Sequence, residues 1–140
     1  MNDYIKVGFV LVLWVLSCYE ARAGDFWLET GGVSHHFHPA NYNEGNWGPG
    51  ITYRQLDIGV SVGEYRNSNR QWSHFAYAIW QPVHLGVVNI GVIGGVIDGY
   101  PRERSYRLAA VPMASYEFKR VGVDALVTTQ AAALKFRVKF

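Results

Sequence analysis

The last segment of the chain constrains its fold most. Leu134, Phe136, Val138 and Phe140 alternate strictly with Lys135, Arg137 and Lys139. A period of two is the signature of a β-strand, so every apolar residue here lies on one face and every cation on the other. A soluble sandwich rarely ends on such a strand. A membrane barrel turns the apolar row to lipid and the polar row to its lumen or rim. Composition agrees. Fifteen Gly, five Trp, nine Tyr and seven Phe in 140 residues suit an all-β chain and argue against a helical bundle. At 49% hydrophobic and 17% charged residues the chain is too apolar for disorder. A net charge of +2 without a basic run gives no reason to expect nucleic acid as a partner. One Cys excludes a disulfide framework and a cysteine-based zinc site.

Residues 1–23 read as a secretory signal peptide. Lys6 supplies the positive start, Val7 to Cys18 is an uncharged run of 12, and Ala21-Arg22-Ala23 is an A-x-A cleavage site. The run is too short for a spanning helix, which needs about 20 apolar residues. The mature chain, 24–140, contains no Cys. It divides into eight alternating segments: Phe26–Phe37, Gly48–Arg54, Asp57–Tyr65, Trp72–Trp80, Val87–Gly99, Leu108–Phe118, Val121–Thr128 and Ala131–Phe140. Spanning strands need about 9–11 residues each, so one eight-stranded antiparallel transmembrane β-barrel accounts for the whole mature chain. A chain ending on Phe140 resembles the assembly signal of outer-membrane barrels. Parity then assigns the ends. The connections after Phe37, Tyr65, Gly99 and Thr128 face outside, and the short turns face the periplasm.

Two polar groups fall on the outer rim: Ser34-His35-His36-Phe37-His38 and Arg66-Asn67-Ser68-Asn69-Arg70. The first and third strands stand two strand spacings apart, about 10 Å, a distance loops can close. A His can then meet Ser68 as a general base assisting a hydroxyl. A merely solvated rim has the same composition. Arg66, Arg70, Arg102, Arg104 and Arg107 surround the second and third outer connections; Arg suits phosphate, such as an outer leaflet presents, and a solvated loop accounts for them equally well. Gly59-Val60-Ser61-Val62-Gly63 fits G-x-S-x-G but lacks the strand-to-helix elbow that motif needs. His35 points opposite to His36 and His38, which argues against a metal site, and no cofactor is expected. His74 and His84 read as structural. Pro112 interrupts the sixth strand, either as a bulge or as the mark of a lateral opening.

Four stretches, in order, resemble the lipid A palmitoyltransferase family of outer-membrane barrels. Tyr42-Asn43-Glu44 with Trp47-Gly48-Pro49-Gly50 resembles its Y-N-E-x-x-W-G-x-G stretch, and Tyr65 to Trp72 resembles its F-K-D-S-W-N-K-W loop. Ile90 to Pro112, continuing through Met113-Ala114-Ser115, resembles its Gly-rich fifth strand and P-L-A-S. Phe136 to Phe140 resembles its R-F-Q-F end.

The resemblance implies transfer of a palmitoyl-like chain from a phospholipid donor to lipid A in the bacterial outer membrane. It implies a catalytic set of His36 (His35 as the alternative base), Asn67 and Ser68, with Asn67 standing where the family has Asp. The family's N-terminal amphipathic helix is missing, and the hairpin of the second and third strands is shorter. An apolar lumen is expected to hold the donor chain, with Ile79 on the wall that sets its depth. The alternatives are a non-catalytic lipid- or lipopolysaccharide-binding barrel, for which Asn67 argues, and a lipid A deacylase. A monomer is expected.

Overall fold

The structure, a computed structural model, describes residues 23–100 and 106–140. Most of the expected signal segment therefore lies outside the described residues. Eight strands follow one another: β1 Asp25–His36, β2 Gly45–Gln55, β3 Ile58–Arg66, β4 Trp72–Leu85, β5 Val88–Ile97, β6 Arg107–Phe118, β7 Val121–Val127 and β8 Ala131–Lys139. Each pairs antiparallel with the next, and β8 pairs with β1, so the sheet closes into a barrel. No helix among the described residues is long and apolar enough to cross a membrane, which does not bear on crossing by strands.

The two ends differ. At the turn end, β2–β3, β4–β5 and β6–β7 are joined by two residues each, and Leu56, Gly86 and Lys119 take positive φ there. At the loop end, residues 37–44, 67–71, 98–106 and 128–130 connect the strands. This is the division that parity predicts.

Two strands are longer than the sequence pattern suggests. β2 starts at Gly45 rather than Gly48, because Gly45, Asn46 and Trp47 pair with Val33, Gly32 and Gly31. β4 continues past Trp80 to Leu85, and the expected turn over 81–86 shrinks to Gly86-Val87. A bulge between Trp80 and Val83 holds Pro82, and a bulge leaves a residue unpaired where a proline needs no partner. A second bulge in β1 places Gly31 at φ 76°, a region open to glycine at little cost.

The outer face is apolar. Trp47 and Trp72 are exposed toward the loop end, and Phe26, Trp80, Tyr116 and Phe118 toward the turn end, with Leu28, Ile51 and Leu134 exposed between them. The barrel wall is incomplete in two places among the described residues: the β2–β3 ladder stops at Gly50–Gly63 and leaves Gly45 to Pro49 without β3 partners, and the β6–β7 ladder is also short. The β6–β7 ladder runs only from Met113–Phe118 to Leu126–Val121. Leu108 to Pro112 pair fully with β5 on one side and lie outside the β6–β7 ladder on the other. Pro112, which has no N–H to give, sits at the last position before that ladder begins.

The lumen is layered. Nearest the turn end is a polar network. Arg54 pairs with Glu117 at 2.6 Å and donates to Gln81. Gln81 donates to Ser115, Ser115 to Asp124 at 2.7 Å, and Arg137 bridges Asp124 and Glu117. Arg137 also lies 4.2 Å over the Trp27 ring. Beside these, Glu29 accepts from Thr52, Ser61 and Lys135. Arg54, Lys135 and Arg137 are thus matched in number by Glu29, Glu117 and Asp124. Toward the loop end follows an apolar layer of Ile79, Ile93 and Met113, flanked by Tyr77, Val111 and Leu126. Phe75 stacks on Tyr77 at 5.0 Å and covers Gly63, where a Cβ would approach the Phe75 ring to 2.8 Å. The apolar lumen expected to hold an acyl chain is confined to one half, and the cationic row of the last strand faces the lumen as alternation predicts. Only the loop-end half is apolar, because the cationic row of β8 and the inward carboxylates meet in the other half.

Candidate functional site

His36 ends β1, pairs with Ala131 of β8, and stacks on Tyr42 with ring centroids 4.2 Å apart. Its Nδ1 is buried and has no hydrogen-bond partner. Leaving a buried polar atom unpaired costs about 1–3 kcal/mol, so such an atom calls for an explanation. His35 faces the opposite way, as alternation requires, and its Nδ1 lies 3.3 Å from Glu44 Oε1. Glu44 also accepts a long bond from the His36 backbone N–H, at 3.4 Å. The carboxylate nearest both histidines is therefore Glu44. Sequence reasoning gave it no role; its place in the Y-N-E stretch was the available signal.

Loops 37–44 and 67–71 are joined by two asparagines. Asn43 N–H donates to the Ser68 carbonyl at 2.8 Å, and its side chain donates to the Asn67 carbonyl at 3.2 Å. Asn46 donates to the Arg66 carbonyl at 3.0 Å and accepts from Ser34. Because Tyr42 adjoins Asn43, the ring that stacks on His36 is carried by the segment that docks on Ser68. The structure thus brings the two predicted rim groups into one assembly through Tyr42, Asn43 and Asn46.

Asn67 has a different set of partners from the one expected. It is fully buried. Its amide donates to Ser73 Oγ at 2.9 Å and to the Gly99 carbonyl at 2.8 Å. Its oxygen accepts from the N–H groups of Asn69 and Gln71. These bonds use both donors and both acceptor sites of the side chain. Asn67 therefore shapes its loop and ties it to β4 and to the β5–β6 connection, and His36 is not among its partners. A carboxylate here has no proton for the Gly99 carbonyl, so Asn is the residue this position requires.

The predicted arginines separate likewise. Arg70 bonds Asn41 through both its carbonyl and its side chain, at 2.8 and 2.9 Å, and so braces the two loops. Arg66 is exposed at the end of β3. Arg102 and Arg104 lie outside the described residues. Among the described residues no group of three or more His, Cys, Asp or Glu side chains is placed to hold a metal ion. His74 meets Asp98 at 3.1 Å and Glu64 at 3.5 Å on the outer wall, and His84 meets Asp57 and Asn89 near the turn end.

In chemical terms, the loop end presents an imidazole with an unpaired nitrogen, a nearby serine loop, an apolar layer beneath, and a break in the β6–β7 ladder. An imidazole can move a proton to or from a hydroxyl brought to it, and an apolar layer is compatible with hydrocarbon. No family model matches the chain, and no curated protein matches its sequence.

Proposed function

We propose that this protein is an outer-membrane acyltransferase that moves a fatty acyl chain from a phospholipid to lipid A. The observation that carries the reading is His36, whose Nδ1 is buried without a partner and whose ring stacks on Tyr42, the neighbour of the Asn43 that binds the Ser68 carbonyl. The exposed apolar wall with aromatic residues toward both ends suits a bilayer, with the loop end outside. Of the two breaks in the ladder, the stretch Leu108 to Pro112 lies beside the apolar layer and is the route by which a lipid chain enters the lumen. Ile79 and its neighbours form the floor against which that chain ends.

In this mechanism His36 accepts the proton of a lipid A hydroxyl. The hydroxyl oxygen attacks the donor ester carbonyl and forms a tetrahedral oxyanion, which the Ser68 hydroxyl or a loop N–H stabilises. Collapse breaks the bond to the donor glycerol oxygen, which takes the proton back from His36. The products are acylated lipid A and a lysophospholipid.

The second reading is a lipid-binding barrel without catalysis. The full engagement of Asn67 within its own loop favours it, since no carboxylate from that position supports a His36 cation. Mass spectrometry of lipid A from cells with and without the chain separates the two. A gain of one acyl chain, abolished by Ser68→Ala or His36→Ala, is expected. Loss of one acyl chain instead indicates deacylation. Unchanged lipid A with folded protein in the outer membrane leaves the binding barrel.

A further inference from the structure

We propose that Lys119 and Arg120 form a docking surface for an anionic phospholipid on the outer wall at the turn end. The surface rests on the membrane placement read above and not on the acyl-transfer chemistry.

The two cations are the tip of the β6–β7 hairpin, and both are exposed. Lys119 Nζ lies 5.3 Å from the centre of the Phe118 ring. That ring is exposed on the outer wall. The ammonium is therefore held on the lipid side of the rim, away from the lumen mouth. The carboxylates of the neighbouring strands are engaged elsewhere. Glu117 pairs with Arg54 and Arg137, and Asp124 with Arg137. Glu29 pairs with Lys135, and Asp25 with Lys139. Among the described residues, no carboxylate lies within ion-pair distance of Lys119 or Arg120. The other two hairpins differ. β2–β3 turns on Leu56-Asp57 and β4–β5 on Gly86-Val87, without Lys or Arg, and Asp57 meets His84. The turn end is thus cationic on one side only.

The occupant is a lipid because of what adjoins the cations. Phe118 pairs with Val121, Val121 with Val138, and Val138 with Leu28. This sets four exposed apolar side chains in one row across β6, β7, β8 and β1. A phospholipid on this row lays its acyl chains on apolar side chains and its phosphate beside Lys119 and Arg120. Long cationic side chains take this posture at an interface, with the stem on apolar surface and the charge at headgroup level. Leu56 and Val87, exposed at the other tips, suit a turn end that enters the same boundary. Charge selects the lipid. A zwitterionic headgroup brings its own cation, which competes for the phosphate. An anionic headgroup leaves its charge to the protein.

The test uses the chain purified from membranes. Insertion is read first, by quenching of its tryptophan fluorescence in vesicles of brominated phosphatidylcholine. Native mass spectrometry from a non-ionic detergent then counts retained phosphatidylglycerol and phosphatidylcholine with identical acyl chains. Phosphatidylglycerol is expected to be retained at least ~10-fold more strongly, the scale of two cations at a headgroup. The double variant Lys119→Gln, Arg120→Gln should erase that preference and leave phosphatidylcholine retention unchanged, which also reports that the barrel is folded. Lys119→Arg should keep the preference, and added salt should weaken it in the native chain. Equal retention of the two lipids overturns the surface. So does a preference that survives the double variant, because the headgroup then lies elsewhere. Absence of quenching overturns the membrane placement itself. Quenching without a preference removes this surface and leaves that placement standing. Lipid A is absent throughout, so the result does not depend on acyl transfer.

Discussion

The two halves of the lumen are built on opposite principles. The turn-end half is held by ion pairs and hydrogen bonds among Arg54, Gln81, Ser115, Glu117, Asp124 and Arg137. The loop-end half is a layer of Ile79, Ile93 and Met113 below an aromatic group of Phe75, Tyr77, Tyr65 and Tyr100. A network of matched charges is directional, and each member holds the next in place. An apolar layer is not directional and adapts to what touches it. The first half suits a rigid plug, and the second a surface for hydrocarbon.

The largest expected effect comes from breaking the plug. Asp124→Asn takes from Arg137, 1% exposed, the carboxylate that accepts from both its Nε and its Nη2, and leaves it Glu117 at 2.8 Å. Removing one partner of a buried charge costs up to about 3–5 kcal/mol, and less where a second carboxylate remains. Urea unfolding in lipid vesicles should show an unfolding free energy lowered by more than about 1 kcal/mol. A change under 1 kcal/mol would mean that the plug is not what holds this half. Ile79→Ala acts on the other half. It should cost about 2–5 kcal/mol for a lost core side chain. It should also lengthen the acyl chain found on lipid A, because the floor recedes. An unchanged chain length with a lower midpoint would show that Ile79 supports the barrel without measuring the chain.

Asn67→Asp separates loop architecture from catalysis. If Asn67 is an architectural residue, the change loses the bond to the Gly99 carbonyl and buries a charge, at about 1–3 kcal/mol. Hydrogen exchange in residues 67–71 should speed up and acyl transfer should fall. A rise in transfer would instead show that Asp at this position orients His36.

The smallest effect is at the turn end. The His84 ring sits between Asn89 Oδ1 and Asp57 Oδ1, both at 2.7 Å. Bonding to Asn89 and then to Asp57 raises the His84 pKa above its ordinary value. Its stabilisation is therefore complete below about pH 6.5, where the ring is charged folded or unfolded, and fades as pH rises through the raised value. Thermal midpoints of the native chain and His84→Gln should differ at pH 5.5 and converge at alkaline pH. A difference that grows with pH would contradict the assignment.

The strands were readable because alternation is a local property. β3, β6 and the start of β4 follow from period two and from turn residues. The extensions at Gly45 and past Trp80 were not readable, because glycine, asparagine and proline signal loops until a bulge or a partner strand absorbs them. At the site, topology put the connections 37–44 and 67–71 within reach of each other, but not the contacts that join them. Asn43 and Asn46 join the loops through backbone carbonyls, and backbone carbonyls have no signature in the side-chain pattern.

What the sequence determined by itself is which face most strand residues take, away from the bulges in β1 and β4, and at which end each connection lies. Both follow from the two-residue repeat and from counting strands. What only the tertiary structure decided is which inward residues share a level. Glu29, Arg54, Gln81, Asp124 and Arg137 lie on five different strands and meet only once β8 has closed on β1. Closure fixes the stagger between strands, and the stagger is a property of the whole ring that no single segment encodes. It brought the charges together in one half of the lumen and left the other half to hydrocarbon.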